Sequence, residues 1–230
     1  MGTTGHVRTG VRAMRCILAL CFLLLVVCTG CASYTPSSAP VPKVETMPAW
    51  QAEGSVAIGA DPYVQFERQK ATFDGDLSKA GVLPIQVSWY NRGDRQVLIR
   101  PSDMVLKLPE GGEVSQAGAA TAAARLESNG GVIASSIAFG LVGFLVSSSA
   151  ADKARAARVE DYRRKELQEV RLRKDETAHG FVYFIPAPET KPFTEATLKV
   201  RFVDVEEATS FVVPLPLSGL EFKASTSKSE

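Results

Sequence analysis

The stretch "VLPIQVSWYNRGDRQVLIR", residues 82–100, decides the fold class. Ile85, Val87 and Trp89 fall on one side of an extended chain, and Gln86, Ser88 and Tyr90 fall on the other. This two-residue period predicts a half-buried antiparallel strand. "NRGD" (91–94) reads as a hairpin-style turn leading into a second strand, "QVLIR" (96–100).

The same pattern recurs on both sides of this pair. "GSVAIGA" (54–60) and "PYVQF" (62–66) are short apolar runs bounded by turn residues, and "MVLKL" (104–108) is ended by "PEGG". Further on, "GFVYFIP" (180–186) is a compact aromatic run. "ATLKVRFVDV" (196–205) sets Leu198, Val200 and Phe202 inward against Lys199 and Arg201 outward, and "SFVVPLPL" (210–217) closes the series. Seven or eight such strands with short turns predict a mainly β fold, an antiparallel immunoglobulin-like β-sandwich spanning residues 53–220. The Cys–Trp–Cys spacing of antibody domains is absent.

Residues 115–173 break the strand pattern and predict a helical insertion. "SQAGAATAAARLESNGG" is rich in the best helix former and ends on Asn129-Gly130-Gly131, a C-terminal stop. "SAADKARAARVEDYRRKELQEVRLRK" is a charged helix whose start is marked by Ser149 with Asp152 three residues on. Glu160–Arg164, Asp161–Lys165 and Glu169–Arg173 are acid-then-base pairs at i,i+4, and Val159, Tyr162, Leu167 and Val170 form a narrow apolar stripe.

Between these two segments lies "GGVIASSIAFGLVGFLVSSSA" (130–150), which has no charge. It is long enough to cross hydrocarbon, but strands before and after it in one sandwich must share one side of a membrane, and a single span would separate them. Ser136–Gly140 and Gly143–Ser147 place small residues four apart, a spacing that lets helices approach closely in the manner of a glycine zipper. The first expectation is a helical hairpin in which residues 131–149 pack on the Ala-rich segment Ser115–Leu126. Self-association, a membrane surface or another envelope protein are the alternatives.

The N-terminus carries a targeting segment. Arg8, Arg12 and Arg15 precede an apolar run from Ile17 to Val27, and "VCTGCAS" (27–33) follows. Small residues Thr29 and Gly30 before Cys31 resemble the lipobox of bacterial lipoproteins, with Cys28 standing where that family usually has an aliphatic residue. The resemblance implies a signal peptide over residues 1–30, cleavage before Cys31 and a lipid on that cysteine. It also implies an outer-membrane, periplasm-facing location, because Ala32 and Ser33 replace the Asp often found in inner-membrane members; the inner membrane is the alternative. An ordinary secretory signal cut after Ala32 is the competing reading. All four cysteines lie in the first 31 residues, which leaves the remainder no pair to oxidise. Residues 31–52, rich in Pro, Ser and Ala, read as a semi-rigid tether, and residues 221–230 as a flexible tail.

The sequence holds few groups for chemistry. Without the three arginines before Cys31, 23 bases face 25 acids, a net charge of −2 that disfavours a nucleic-acid partner. His179 is the one histidine past residue 30, which leaves no zinc ligand set and no nucleophile motif around it. Asp74/Asp76 and Glu206/Glu207 lack calcium-loop spacing and read as turn residues. The expected protein is not an enzyme and needs no cofactor or small-molecule substrate. Its role is structural or protein-binding, held to the membrane through Cys31, with a second copy or another envelope protein as partner. A membrane-active or self-assembling oligomer built through residues 131–149 is the main alternative, and an envelope hydrolase a weaker one.

Overall fold

The protein is described by a computed structural model covering Tyr34, residues 36–127 and residues 150–223. In chain order the elements are β1 (Ala49–Glu53), β2 (Val56–Pro62), α1 (Phe66–Phe73), β3 (Leu83–Asn91), β4 (Val97–Ile99), β5 (Val105–Lys107) and β6 (Glu113–Ala117). Next come α2 (Ala119–Glu127), α3 (Ala150–Lys165), β7 (Val170–Leu172), β8 (Thr177–Phe184), β9 (Phe193–Asp204) and β10 (Thr209–Phe222). All ladders between these strands are antiparallel. They run in the order β1-β2-β3-β8-β6-β5-β9-β4-β7, with β10 on the other edge of β9. The mainly antiparallel β class with helices is therefore as the alternation indicates.

One half of the sheet, β1-β2-β3-β8, faces the other half, built on β9 and β10. Ile85, Val87 and Trp89 of β3 meet Leu198, Val200 and Phe202 of β9 in a common core. Trp89 and Phe202 touch edge to face at 5.9 Å between ring centres. The sheet does not close into a barrel. On β10, Pro214 and Pro216 pair with Lys199 and Thr197 of β9. Proline has no N–H to give a ladder, so both must turn their ring nitrogens to the outer edge. That edge therefore lacks two donors and resists addition of another strand.

A second core lies outside the sheet. Along β8 the side chains alternate between the two cores, Val182 and Phe184 inward, Phe181 and Tyr183 outward. The outward pair packs with Phe73 of α1, Ala119, Ala122 and Ala123 of α2 and Tyr162 of α3. The alanine face of α2 thus lets its backbone come close, but the partners observed are α3 and β8. Residues 131–149, including Ser136, Gly140, Gly143 and Ser147, lie outside the described residues, as does Ser149 of the expected cap.

Several sequence expectations change here. The turn at 91–94 is not a hairpin: β3 pairs with β2 and β8, whereas β4 pairs with β7 and β9. Asn91 makes this corner, accepting from the Gly93 amide at 3.0 Å and donating to Arg95 and Leu172 carbonyls. Residues 62–66 are not a strand, because Pro62 ends β2 and α1 begins at Phe66. Helix α1 is stapled in place by the buried Gln69 amide, which bonds Tyr63 and Ser78. It ends at Asp74, whose left-handed φ of 53° stops the helix.

The insertion is also shorter than residues 115–173. Residues 115–117 belong to β6, and α3 stops at Lys165, where Glu166 bridges to Phe181 of β8. The expected stripe is split: Val159 and Tyr162 serve the second core, whereas Leu167 and Val170 lie past the helix against the first. Glu169 pairs with Arg100. Gly180 permits this crossing, since a Cβ there would sit 2.5 Å from the Leu167 amide nitrogen.

The segment read as a tether is largely part of the domain. Val44 and Met47 are buried, and residues 49–53 form β1. The Pro40 and Pro42 carbonyls accept hydrogen bonds from Gln86 (2.7 Å) and Ser88 (3.3 Å). Gly59 leaves room for this cover, as a Cβ there would lie 2.6 Å from the Met47 sulfur.

Candidate functional site

On the helical side, residues 36–39, the last turn of α3 and β8 enclose a cleft of about 390 Å³. Gln86, Asp161, Arg164, Lys165 and His179 contribute its polar walls. The geometry originates in α3, where Arg158, Asp161, Tyr162 and Lys165 share one face at the helical spacing i, i+3, i+4, i+7. This face, more polar than apolar, is the one turned toward the protein: Asp161, Tyr162 and Lys165 are all buried.

The Lys165 ammonium and the Asp161 carboxylate form an ion pair whose side chains are only 5% and 7% exposed. Lys165 also donates to the Thr72 carbonyl at 2.5 Å and to the Ser37 hydroxyl at 3.4 Å. Asp161 accepts in addition from the Tyr34 hydroxyl. Burial, and then the Asp161 carboxylate, hold the Tyr34 phenol far above its ordinary pKa, so it remains a donor. The Arg158 guanidinium lies 5.0 Å from the centre of the Tyr34 ring, within cation–π range. Tyr162 donates to the Phe73 carbonyl at 3.1 Å, and Ser37 to Thr72 at 2.8 Å. The last carbonyls of α1 are thereby satisfied from α3 and the N-terminal segment, as a buried helix end requires. Burial likewise raises the Tyr162 and Tyr183 phenols.

Glu166, one residue on, reaches the other helix. Its Oε1 accepts from the Ala119 amide at 3.0 Å and from Gln116 at 3.1 Å, capping the start of α2. Burial raises its pKa, and those two donors oppose the rise. Replacing Glu166 with Ala orphans the buried Ala119 amide, and a loss of about 1–2 kcal/mol is expected in urea unfolding. Glu166→Gln keeps the acceptor and should lose far less. The pH dependence has a definite sign. A raised folded pKa contributes stability below the ordinary glutamate value, and that contribution is lost as pH climbs through the folded value. Glu166→Gln should therefore gain on the wild type between acid and neutral pH; parallel stability curves for the two would overturn this.

His179 lines the cleft from β8, opposite Ser88 in the ladder. The acid beside it is committed elsewhere, since Asp161 is bonded by Tyr34 and Lys165. Asp74 and Asp76 are turn groups: Asp74 pairs with Lys70, and Asp76 accepts from the Lys79 amide. Glu207 pairs with Arg95, and Glu206 accepts from the Gln96 amide. A second cleft, about 520 Å³, lies between the β5–β6 turn and the β8–β9 loop beside a Lys191–Glu110 ion pair. Cys31, the expected lipid site, and Ser136, Gly140, Gly143 and Ser147 lie outside the described residues. The Tyr34–Asp161–Lys165 clasp was read in the sequence only as one solvated i,i+4 pair. The available signal was the placement of Arg158, Asp161 and Lys165 on the face of Tyr162. Among the described residues no helix is long and apolar enough to cross a membrane.

No family model matches the chain, and no curated protein matches it. Among solved structures it superposes on a candidate lipoprotein of Bacillus subtilis, YcdA, with 11% identity and a TM-score of 0.38. That match covers 74% of this chain but 38% of the other, so the chain spans well under half of that protein. The YjhA protein of Bacillus subtilis gives 10% identity and a TM-score of 0.34, over 74% of this chain and 97% of that one. A functionally unknown protein of Listeria monocytogenes gives 11% and 0.35, over 80% and 99%. None of these superpositions is close enough to assign a shared fold or a role.

Proposed function

We propose that this chain is a lipid-anchored bacterial envelope protein with a structural or protein-binding role. Its β-domain is an immunoglobulin-like sandwich left open along one edge, and it faces the periplasm from the outer membrane. The observation that carries this reading is the route of the chain after Cys31. Tyr34, three residues past the lipobox-like cysteine, is bound to Asp161 and lies under Arg158. The link from cysteine to domain is therefore short, and an anchor at Cys31 would be part of the domain's own architecture. A binding rather than catalytic role is supported by the cleft, whose acid is spent on internal bonds to Tyr34 and Lys165. The partner under this reading is a second copy or another envelope protein.

Metabolic labelling with radioactive palmitate tests the anchor. The wild type should incorporate label, and globomycin, which blocks the lipoprotein signal peptidase, should make a longer precursor accumulate. Cys31→Ala should abolish both effects. A wild type that carries no label and whose size ignores globomycin overturns the reading in favour of ordinary secretion.

A further inference from the structure

Three features of the described residues converge on one end of the domain. The first is the course of the N-terminal segment. Ser37 lies beside Lys165 and Thr72, whereas Tyr34 lies beside Asp161 and Arg158. From Ser37 back to Tyr34 the chain thus runs along α3 toward the helix's N-terminal end. Three residues reach at most roughly 11 Å when extended, so a lipid on Cys31 is tied within that distance of Tyr34 and of the α3 flank on which Tyr34 packs.

The second feature is the meeting of α2 and α3. Glu127, the last residue of α2, pairs with Arg155 and Arg158. The end of α2 and the beginning of α3 are accordingly neighbours. The 22 residues between them, 128–149, contain no charged side chain.

The third feature is charge. The exposed residues of α3 include Lys153, Arg155, Arg163 and Arg164, against one exposed acid, Glu160; Arg155 pairs with Glu127, and Arg163 and Arg164 share Glu160, so the face remains net positive. Ala156 and Ala157 add no bulk between them. Past residue 30 the chain as a whole carries more acid than base, so this face runs against the average.

We propose that the outer face of α3, with the adjoining end of α2, is a membrane-docking surface. It rests on the anionic phospholipid headgroups of the leaflet that holds the Cys31 lipid. The inference builds on the lipoprotein reading and adds an orientation to it: the domain lies against the bilayer instead of standing off on a tether. A cationic patch beside a lipid anchor supplies the second attachment that stable, oriented binding uses.

Two measurements test the surface separately from the anchor. In the first, the Cys31→Ala chain, which cannot carry lipid, is floated with phosphatidylethanolamine–phosphatidylglycerol vesicles or with phosphatidylcholine vesicles. Binding should appear with the former and fall with added salt. The variant Arg163→Glu with Arg164→Glu should bind more weakly, by about fivefold for each base removed. No binding to the anionic vesicles, or equal binding to both kinds, overturns the docking surface. In the second, the lipidated chain carries Ala157→Cys on α3 or Ser210→Cys on β10, and membranes are treated with an impermeant maleimide. The α3 position should lose labelling in membranes and regain it in detergent, with the β10 position labelled equally in both. Equal labelling at both positions in a membrane-bound chain overturns the orientation. A chain without palmitate overturns the anchor alone, and the vesicle result still decides the surface.

Discussion

Replacing Lys165 with methionine, with Asp161 left in place, is expected to cost about 3–5 kcal/mol of folding stability, because it strands a buried carboxylate. Asp161 is 7% exposed and would keep only the Tyr34 hydroxyl. The Thr72 carbonyl would retain the Ser37 hydroxyl but lose its 2.5 Å ammonium donor. Asp161→Leu should be comparably costly, since it leaves the ammonium buried beside the Phe73 ring with only the Thr72 carbonyl and the Ser37 hydroxyl as partners. The double variant should lose less than either single one, because removing both charges removes most of the desolvation cost as well. Urea unfolding of the four chains yields the coupling energy directly. Single variants within about 1 kcal/mol of the wild type, the range of surface pairs, would show that solvent reaches the pair and that the clasp is not buried.

The strands whose burial is one-sided were legible, and β9 shows why. Leu198, Val200 and Phe202 are buried while Arg201 is exposed, so one face meets the core and the other meets water. β3 has the same alternation for a different reason. Gln86 and Ser88, read as the outward polar face, are buried under the Pro40 and Pro42 carbonyls. A polar face covered by backbone acceptors has the same composition as one covered by water, so the sequence pattern could not distinguish them. The proline-rich composition of residues 36–48 concealed the same contact from the other side. Prolines offer carbonyls without competing N–H groups, which suits a segment that crosses a strand face without joining its ladder. On α3 the buried stripe is charged and aromatic rather than aliphatic, so it looked like the solvated side. β7, a three-residue strand, was too short to show a period. The clasp was hidden for a further reason, because Tyr34 and Asp161 are 127 residues apart and only the fold brings them together.

Phe73→Ala is expected to produce the other large loss, about 3–5 kcal/mol, the usual cost of emptying a buried aromatic site. Phe73 is fully buried and is the hub of the second core. Its ring meets Phe181 at 4.8 Å, Tyr162 at 5.2 Å, Tyr183 at 6.1 Å and Tyr63 at 6.5 Å, all edge to face. Four rings from α1's flank, α3 and β8 would face one cavity, and stacked Tyr162 and Tyr183 are anchored by hydroxyl bonds that restrict their collapse into it. Phe73→Leu keeps most of the volume and should lose less than half as much. The position of the damage is as informative as its size. The first core, around Trp89 and Phe202, does not touch Phe73, so the sheet should keep its protection while α1 opens. Hydrogen exchange of residues 66–73 should therefore accelerate more than that of β2 and β9 in the alanine variant. Equal acceleration throughout would mean that the two cores unfold as one cooperative unit, and a loss below about 1 kcal/mol would mean that the site collapses freely. Either result would contradict the two-layer arrangement in which the outward face of β8 holds α1 and α3 to the sheet.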